Sequence, residues 1–467
     1  MSAIELKDLY FRYKNQKDII LKGINFSCNY NEITLLTGAS GAGKSTVLGL
    51  ITGIIPNIIK GDVKGLIKVD GNNINGLKIS DISSKIGVVL QDADNQIIMP
   101  RVFEEIAFGL ENINLDRNEI SSRIDYVTDL FKLDKNALTK HLSGGEKQRL
   151  LCSCILAMNQ KILIFDEPLA NLDKKSVKLL LDNLVKYKNE GYAIIIIEHR
   201  LDMLTDYIDK AYSINDGKIN IINDLNDYLK EQKNIMSYKA NEIKGNIILD
   251  VNNLTYKIKD RTIIDNISFN INSGEKVLIL GDNGKGKTTL VRLLTRMIKS
   301  TSGSINQYVD TKYKPNYKGK KWFNKIGIVY QNPNYQLFMP TVLKEVLYNV
   351  SNKDYAIKLL KDFDLYKYID RHPQSLSEGE KRRLTVALTL AREPKIIFLD
   401  EPTVGQDIIN LKKMINIIND YIENNNATLI SITHDVRCAY ALCDKCLLFD
   451  DVFSIGGNEL IDKFFSK

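Results

Sequence analysis

The chain has 467 residues, of which 44% are hydrophobic and 26% charged, an ordinary globular balance in a length that exceeds one typical α/β domain. Lys and Arg total 64 against 57 Asp and Glu, and this mild net charge of +7 fits a cytoplasmic protein that handles polyanions or lies near an anionic membrane face, or simply a solvated surface. No apolar run approaches the roughly 18–20 residues needed to cross a bilayer, and the start MSAIELKDLYF lacks the basic segment and apolar core of a signal peptide, so a soluble chain that reaches a membrane only through partners is expected.

In chain order, the apolar run ITLLT reads as a strand that feeds GASGAGKST, a Gly-x-x-x-x-Gly-Lys-Ser loop opening a helix. GIIPNIIKGDVKG follows, then the short β-branched run IGVVL and the segment after Gln91, QDADNQIIMPRVFEEIAFGLEN. HLSGGEKQRL has the Ser-x-x-Glu spacing of a capping box before an amphipathic helix. KILIF leads to Asp166 and Glu167, and AIIII leads to His199. Short apolar runs of this kind suit strands covered on both faces of a mostly parallel sheet.

The whole series then repeats. GDNGKGKTT, IGIVY, SLSEGEKRRL, KIIFL with Asp400 and Glu401, and TLISI with His434 return in the same order. Equal intervals separate Ser143 from Asp166 and Ser377 from Asp400, which implies the same α/β fold twice. The interval from loop lysine to signature serine is longer in the first half, as a surface helical insertion allows. The polar, Asn/Lys-rich stretch between the repeats reads as a linker, giving domains at 1–220 and 246–467 joined by 221–245. Of six cysteines, Cys443 and Cys446 form a lone C-x-x-C; with no second pair at ligand spacing, all six read as structural thiols.

The chemistry follows from residue type. In Gly38, Ala39, Ser40, Gly41, Ala42, Gly43, Lys44, Ser45 and Thr46, backbone N–H groups at a helix start can wrap a β-phosphate. The second copy is Gly281, Asp282, Asn283, Gly284, Lys285, Gly286, Lys287, Thr288 and Thr289. Lys44 and Lys287 should reach the β/γ oxygens of ATP, while Ser45 and Thr288 hold Mg²⁺. Asp166 and Asp400, each ending a buried strand, should steady that Mg²⁺, and Glu167 and Glu401 should act as general bases toward the attacking water. Ser143, Gly144 and Gly145, like Ser377 and Gly379, begin helices that can hold an anion; since each half already has its own phosphate loop, the economical partner is the γ-phosphate of the other half.

This ordered set resembles the ATP-binding-cassette family over essentially the whole chain. The resemblance implies, in each half, a RecA-like P-loop core with an antiparallel β part and a helical subdomain. It implies ATP hydrolysis with Mg²⁺ and closure of the two halves on nucleotide. Tyr13 and Tyr256, equally spaced before their loops, match the aromatic that stacks on adenine; Gln91 and Gln331 match the glutamine that touches Mg²⁺ and senses the transmembrane partner. Asp173 and Asp407 match the aspartate that communicates across the dimer, and His199 and His434 match the switch histidine on the γ-phosphate; His141 and His372 match nothing. Glu378 departs from the pattern by replacing a signature glycine.

The glutamine-loop segments and GIIPNIIKGDVKG are similar to the duplicated ATPase of energy-coupling-factor importers, which take up vitamins or transition-metal ions. That similarity implies a transmembrane coupling subunit and a substrate-binding membrane subunit as partners. It places the chain in the cytoplasm, peripheral to the inner face of the cell membrane. The apolar residues Ile97, Ile98, Leu337 and Phe338 would then line a groove for a coupling helix, or else pack in the core. The alternatives are the tandem ATPase of a sugar importer, whose P-loop is usually damaged in one half, and a soluble cassette protein acting on ribosomes or nucleic acid. No basic, aromatic-interleaved strip marks a nucleic-acid surface, so no such partner is expected.

Overall fold

A computed structural model describes residues 2–14, 18–39, 41–90, 93–169, 172, 174–233, 245–282, 284–308, 320–403, 405–450 and 452–466. It divides into two compact units, Met1–Glu231 and Gln232–Lys467.

In the first unit, β1 (Ser2–Tyr13), β2 (Leu21–Asn29), β4 (Gly61–Val69) and β5 (Asn72–Asn73) form an antiparallel sheet in the order β2-β1-β4-β5. A second sheet runs β10-β9-β3-β8-β7-β6, built from β3 (Glu32–Gly38), β6 (Ile86–Val89), β7 (Ile162–Asp166), β8 (Ala193–Ile197), β9 (Lys210–Asn215) and β10 (Lys218–Ile222). All its neighbours are parallel except the β9–β10 hairpin. The AIIII run shows why. Ile195 and Ile197 pack with the antiparallel sheet and the P-loop helix Lys44–Ile51, while Ile194 and Ile196 pack with Val177, Leu180 and Leu184 of the helix Lys174–Asn189. A period of two in a strand sends alternate isoleucines to opposite faces, and each buried face is worth roughly 1.5–3 kcal/mol per side chain. Helices Val102–Asn112, Arg117–Leu130 and Gly144–Ala157 form a separate cluster around Ile106, Val127 and Leu150.

The second unit repeats this plan. β11 (Ile247–Ile258), β12 (Arg261–Asn272) and β14 (Ser302–Gln307) make the antiparallel sheet. β13 (Lys276–Gly281), β15 (Ile326–Val329), β16 (Ile396–Asp400), β17 (Thr428–Ile432), β18 (Lys445–Phe449) and β19 (Phe453–Gly456) make the main sheet, ordered β15-β16-β17-β13-β18-β19. Helices Val342–Leu347, Lys353–Asp362 and Glu378–Leu390 supply the helical part. Among the described residues, no helix is long and apolar enough to cross a membrane.

The expected linker needs correction at its start. β10 reaches Ile222, and the helix Leu225–Lys233 lays Leu225, Tyr228 and Leu229 on the core of the first unit. Three apolar residues in a helical spacing are enough to dock a polar-looking segment. The remainder of the expected linker, residues 234–244, lies outside the described residues. Cys28, Cys152, Cys438, Cys443 and Cys446 are buried; burial pushes the Cys28 and Cys152 thiols up to about 12, which makes them inert.

Candidate active site

Each main sheet delivers its phosphate loop at the C-terminal end of a central strand. β3 ends at Gly38 with φ 147°, and an added Cβ there would lie 2.2 Å from the Ile214 carbonyl oxygen, so only glycine fits. Gly281 repeats the geometry against Phe449 O at 2.4 Å. Gly43 and Gly286 then cap the helices Lys44–Ile51 and Lys287–Leu294 in the left-handed region. Lys44 Nζ donates to the Gly38 and Ala39 carbonyls, both at 2.9 Å, and Lys287 Nζ to those of Gly281 (2.6 Å) and Asp282 (2.9 Å). Ser40, Asn283, Gln91 and Asp173 lie outside the described residues.

The acidic pairs sit where β7 and β16 end. Glu167 and Glu401 adopt positive φ, 51° and 50°, and each N–H donates to the last carbonyl of the neighbouring strand, Ile197 O at 2.8 Å and Ile432 O at 2.9 Å. A non-glycine residue held in that region twice, at corresponding places, is the local strain expected of a functional corner. The glutamates meet the histidines: His199 Nε2 lies 3.3 Å from Glu167 Oε1, and His434 Nε2 lies 3.7 Å from Glu401 Oε1. In the first unit the buried Glu198 adds a third carboxylate, accepting from the N–H groups of His199 (2.8 Å) and Arg200 (3.0 Å). Sequence reasoning passed over Glu198, because Thr433 stands at that place in the second half.

Electrostatics separate the two acidic strands' ends. Burial pushes the Asp166 carboxyl up to about 7, with Glu167 and Glu198 adding to the rise and Lys44 opposing it. Burial also raises Asp400, against the pull of Arg382, Lys287 and the hydroxyl of Thr288, whose Oγ1 is 3.5 Å from Asp400 Oδ2.

In the second unit Lys287, Thr288, Gln331, Asp400, Glu401 and His434 line one cavity of about 310 Å³, together with Gly284, Gly286 and Thr289. The oxygens of Thr288, Asp400 and Gln331 are hard donors of the kind Mg²⁺ takes alongside phosphate. Ile258, Arg261 and Ile263, from the β11–β12 hairpin, complete the lining. Tyr256 is not among its lining residues; it is partly buried and, like Ile263, packs on the hydrophobic core. Tyr13 is half-buried, edge-on to Phe11, with its hydroxyl 2.9 Å from Thr46 Oγ1.

Both signature serines are complete capping boxes. Ser143 N donates to Glu146 Oε2 at 2.8 Å and Ser377 N to Glu380 Oε2 at 2.9 Å, and each serine hydroxyl accepts from the glutamate N–H at 3.3 Å. Gly379 is obligatory, for a Cβ would meet Gly405 O at 2.4 Å, whereas Glu378 stands half-buried in the first turn. Asp407 caps its own helix, accepting from Asn410 N at 2.9 Å. His372 Nδ1 accepts from Gln374 N at 3.2 Å, and His141 is exposed.

The segments after the two glutamines share one construction. Gln96 and Gln336 each bridge a strand end, accepting from Leu90 N and Tyr330 N and donating to Val88 O and Ile328 O. One oxygen of the buried Glu105 accepts from both Ile98 N and Met99 N, and Glu345 does the same for Phe338 and Met339. This divides the four apolar residues. Leu337 is buried and Ile97 packs on the core, while Ile98 and Phe338 stand 68% and 74% exposed.

The family model described as "ABC transporter" matches residues 21–170 and again 264–404. The chain is 33% identical to an ABC transporter ATP-binding protein of Streptococcus mutans, so named provisionally, over 96% of this chain and 89% of that one. It is 30% identical to YkoD of Bacillus subtilis, provisionally named an HMP/thiamine import ATP-binding protein, over 96% and 90%. A chain in the structure of ribosome-bound archaeal Pelota and ABCE1 shares the fold, with a TM-score of 0.75 at 20% identity over 98% of this chain and 80% of that one. Two family matches, each enclosing a phosphate loop and its acidic strand, identify the chain as a member of the ABC transporter family, a tandem ATPase with two cassettes in one polypeptide.

Proposed function

We propose that the chain is the ATPase of an energy-coupling-factor type importer for a vitamin or a transition-metal ion, docked on a transmembrane coupling subunit at the inner membrane face. The observation that carries this reading is the exposure of Ile98 and Phe338 on identically braced loops beside the two glutamine segments. Bracing an exposed isoleucine and phenylalanine with a buried glutamate in both halves makes sense for a surface that another chain covers. The import named for YkoD lends further support.

In this reading the ATP phosphates lie on the loops Gly38–Thr46 and Gly281–Thr289, with Lys44 and Lys287 against the β/γ oxygens. Ser45, Gln91 and Asp166, and likewise Thr288, Gln331 and Asp400, would hold Mg²⁺, which supplies charge neutralisation on the phosphates. Glu167 and Glu401 take the proton of the attacking water, and His199 and His434 hold the γ-phosphate. Tyr13 and Tyr256 stack on adenine, with Ile258 and Ile263 adding apolar surface in the second half. Ser143, Gly144 and Gly145 complete the second half's site, and Ser377 with Gly379 the first's, when the two halves close on ATP.

The test is to express Ile98→Asp and Phe338→Asp together with the native membrane components. Both variants should stay folded and bind ATP yet lose co-purification with detergent-solubilised membrane subunits. Undiminished membrane co-purification, or recovery of the wild type with ribosomes instead, overturns the reading.

A further inference from the structure

One buried cation distinguishes the surroundings of the second half's site from those of the first. Arg382, in the first turns of the helix Glu378–Leu390, is 2% exposed, and its Nη1 donates to Tyr330 O at 2.9 Å. Tyr330 immediately precedes Gln331, and its N–H is already taken by Gln336 at 3.0 Å, so the residue before the glutamine is pinned at both its N–H and its carbonyl. Arg382 Nε is buried without a hydrogen-bond partner, an expensive arrangement for a guanidinium unless its charge is used. The charges around it are Glu378, Glu401 and Asp400, which hold it ionised against the cost of burial.

At the corresponding place the first half has Gln148, also buried, whose Nε2 has no partner. The charge inventories therefore diverge. Asp166 and Glu167 have the buried Glu198 beside them, with Lys44 as their counter-charge and Arg200 acting on Glu198. Asp400 and Glu401 have Lys287 and Arg382, with Arg292 contributing further off where the first half has Gly49. A full charge whose field reaches both carboxylates in a partly desolvated site alters the binding of a polyanion by roughly an order of magnitude.

We propose that Arg382 is a positioning residue that pins the Gln331 loop and supplies a fixed positive charge to the second half's site, so that this half takes up ATP even before a divalent cation arrives while the first half requires the cation. The proposal rests on the reading of these residues as the nucleotide sites, and its test separates the two. A fluorescent ATP analogue is titrated into the full chain carrying Lys44→Ala, so that the second half reports, once in EDTA and once in excess MgCl₂. Arg382→Gln should weaken binding about tenfold in EDTA but only about twofold in MgCl₂, since the cation's two charges dominate the missing one. Arg382→Lys should stay within about threefold of the parent in EDTA. In the complementary Lys287→Ala chain, Gln148→Arg should strengthen binding to the first half in EDTA; this gain decides the matter if Arg382→Gln does not fold. An equal loss in EDTA and MgCl₂, or no loss in either, overturns the proposal and leaves Arg382 a packing residue. Persistent binding in Lys44→Ala with Lys287→Ala would instead overturn the assignment of the nucleotide sites.

Discussion

Lys276 opens the strand that ends in the second phosphate loop, and it is 2% exposed, with its ammonium 3.9 Å from Asp444 Oδ1. Burial pushes the lysine down to about 8 and raises the aspartate, each resisted by the other's charge. Asp444 Oδ2 accepts the Lys276 backbone N–H at 2.9 Å, a bond that survives any side-chain change, but Oδ1 has no hydrogen bond. Lys276→Ile, which installs the residue that Ile33 occupies in the first half, therefore strands a buried carboxylate. The first half avoids this because Lys188 reaches the matching Asp209 from a surface helix at 3.0 Å. Removing one partner of such a pair costs about 3–5 kcal/mol, and the surviving backbone bond sets the expectation near 3. For a unit of this size that is a fall in Tm of about 6–12 °C. Adding Asp444→Asn should restore stability to within about 1 kcal/mol, because the uncompensated charge disappears while the backbone bond remains. Denaturant unfolding of the four chains gives the cycle directly. A single variant within about 1 kcal/mol of wild type, or a double variant no better than the single, refutes the reasoning.

Three further outcomes can be checked. Without nucleotide or Mg²⁺, burial favours the protonated Asp166 carboxyl in the folded chain; this group's contribution to stability should be full below about pH 4, where both states are protonated, and be lost as pH rises through about 7, by up to about 4 kcal/mol. Asp166→Asn should flatten that decline in unfolding measured across pH, and a parallel pH curve for the variant would contradict it. Glu401→Gln should lower steady-state ATP hydrolysis more than Glu167→Gln if the halves close as proposed, which would bring Glu378 to the first half's site; equal losses, with ATP binding intact in both, would remove that asymmetry. Ser377→Ala should cost about 1 kcal/mol by deleting the helix cap, read by thermal melting, with a change under about 0.3 kcal/mol counting against it.

The parts legible in the sequence are those that chemistry forces into fixed spacing. A phosphate loop needs glycine at Gly38 and Gly43, a buried strand needs runs such as AIIII, and a capping box needs Ser and Glu at one interval, so all three announced themselves. The misses come where tertiary packing chooses between equivalent letters. Ile97 and Ile98 look alike on paper, yet the Glu105 clamp turns one inward and the other out. The helix Leu225–Lys233 shows in the sequence as a short helical stretch, but its docking on the first unit does not, because its apolar residues are sparse among Asn, Asp and Lys. Arg382 and Glu198 were unreadable for another reason: a charge buried against a neighbour leaves no periodicity.

The lysine contacts at the phosphate loops bear on how fast and how tightly nucleotide can be taken up. Lys44 and Lys287 are already immobilised by two carbonyls of their own loops, so the rotamer freedom of each side chain, worth roughly 1.5–2 kcal/mol, is surrendered when the chain folds rather than when ATP arrives. An incoming phosphate then meets an ammonium whose direction is set. If nucleotide binds there as proposed, recognition should behave as a rigid fit, and mutation of a loop glycine should slow association by misdirecting the lysine.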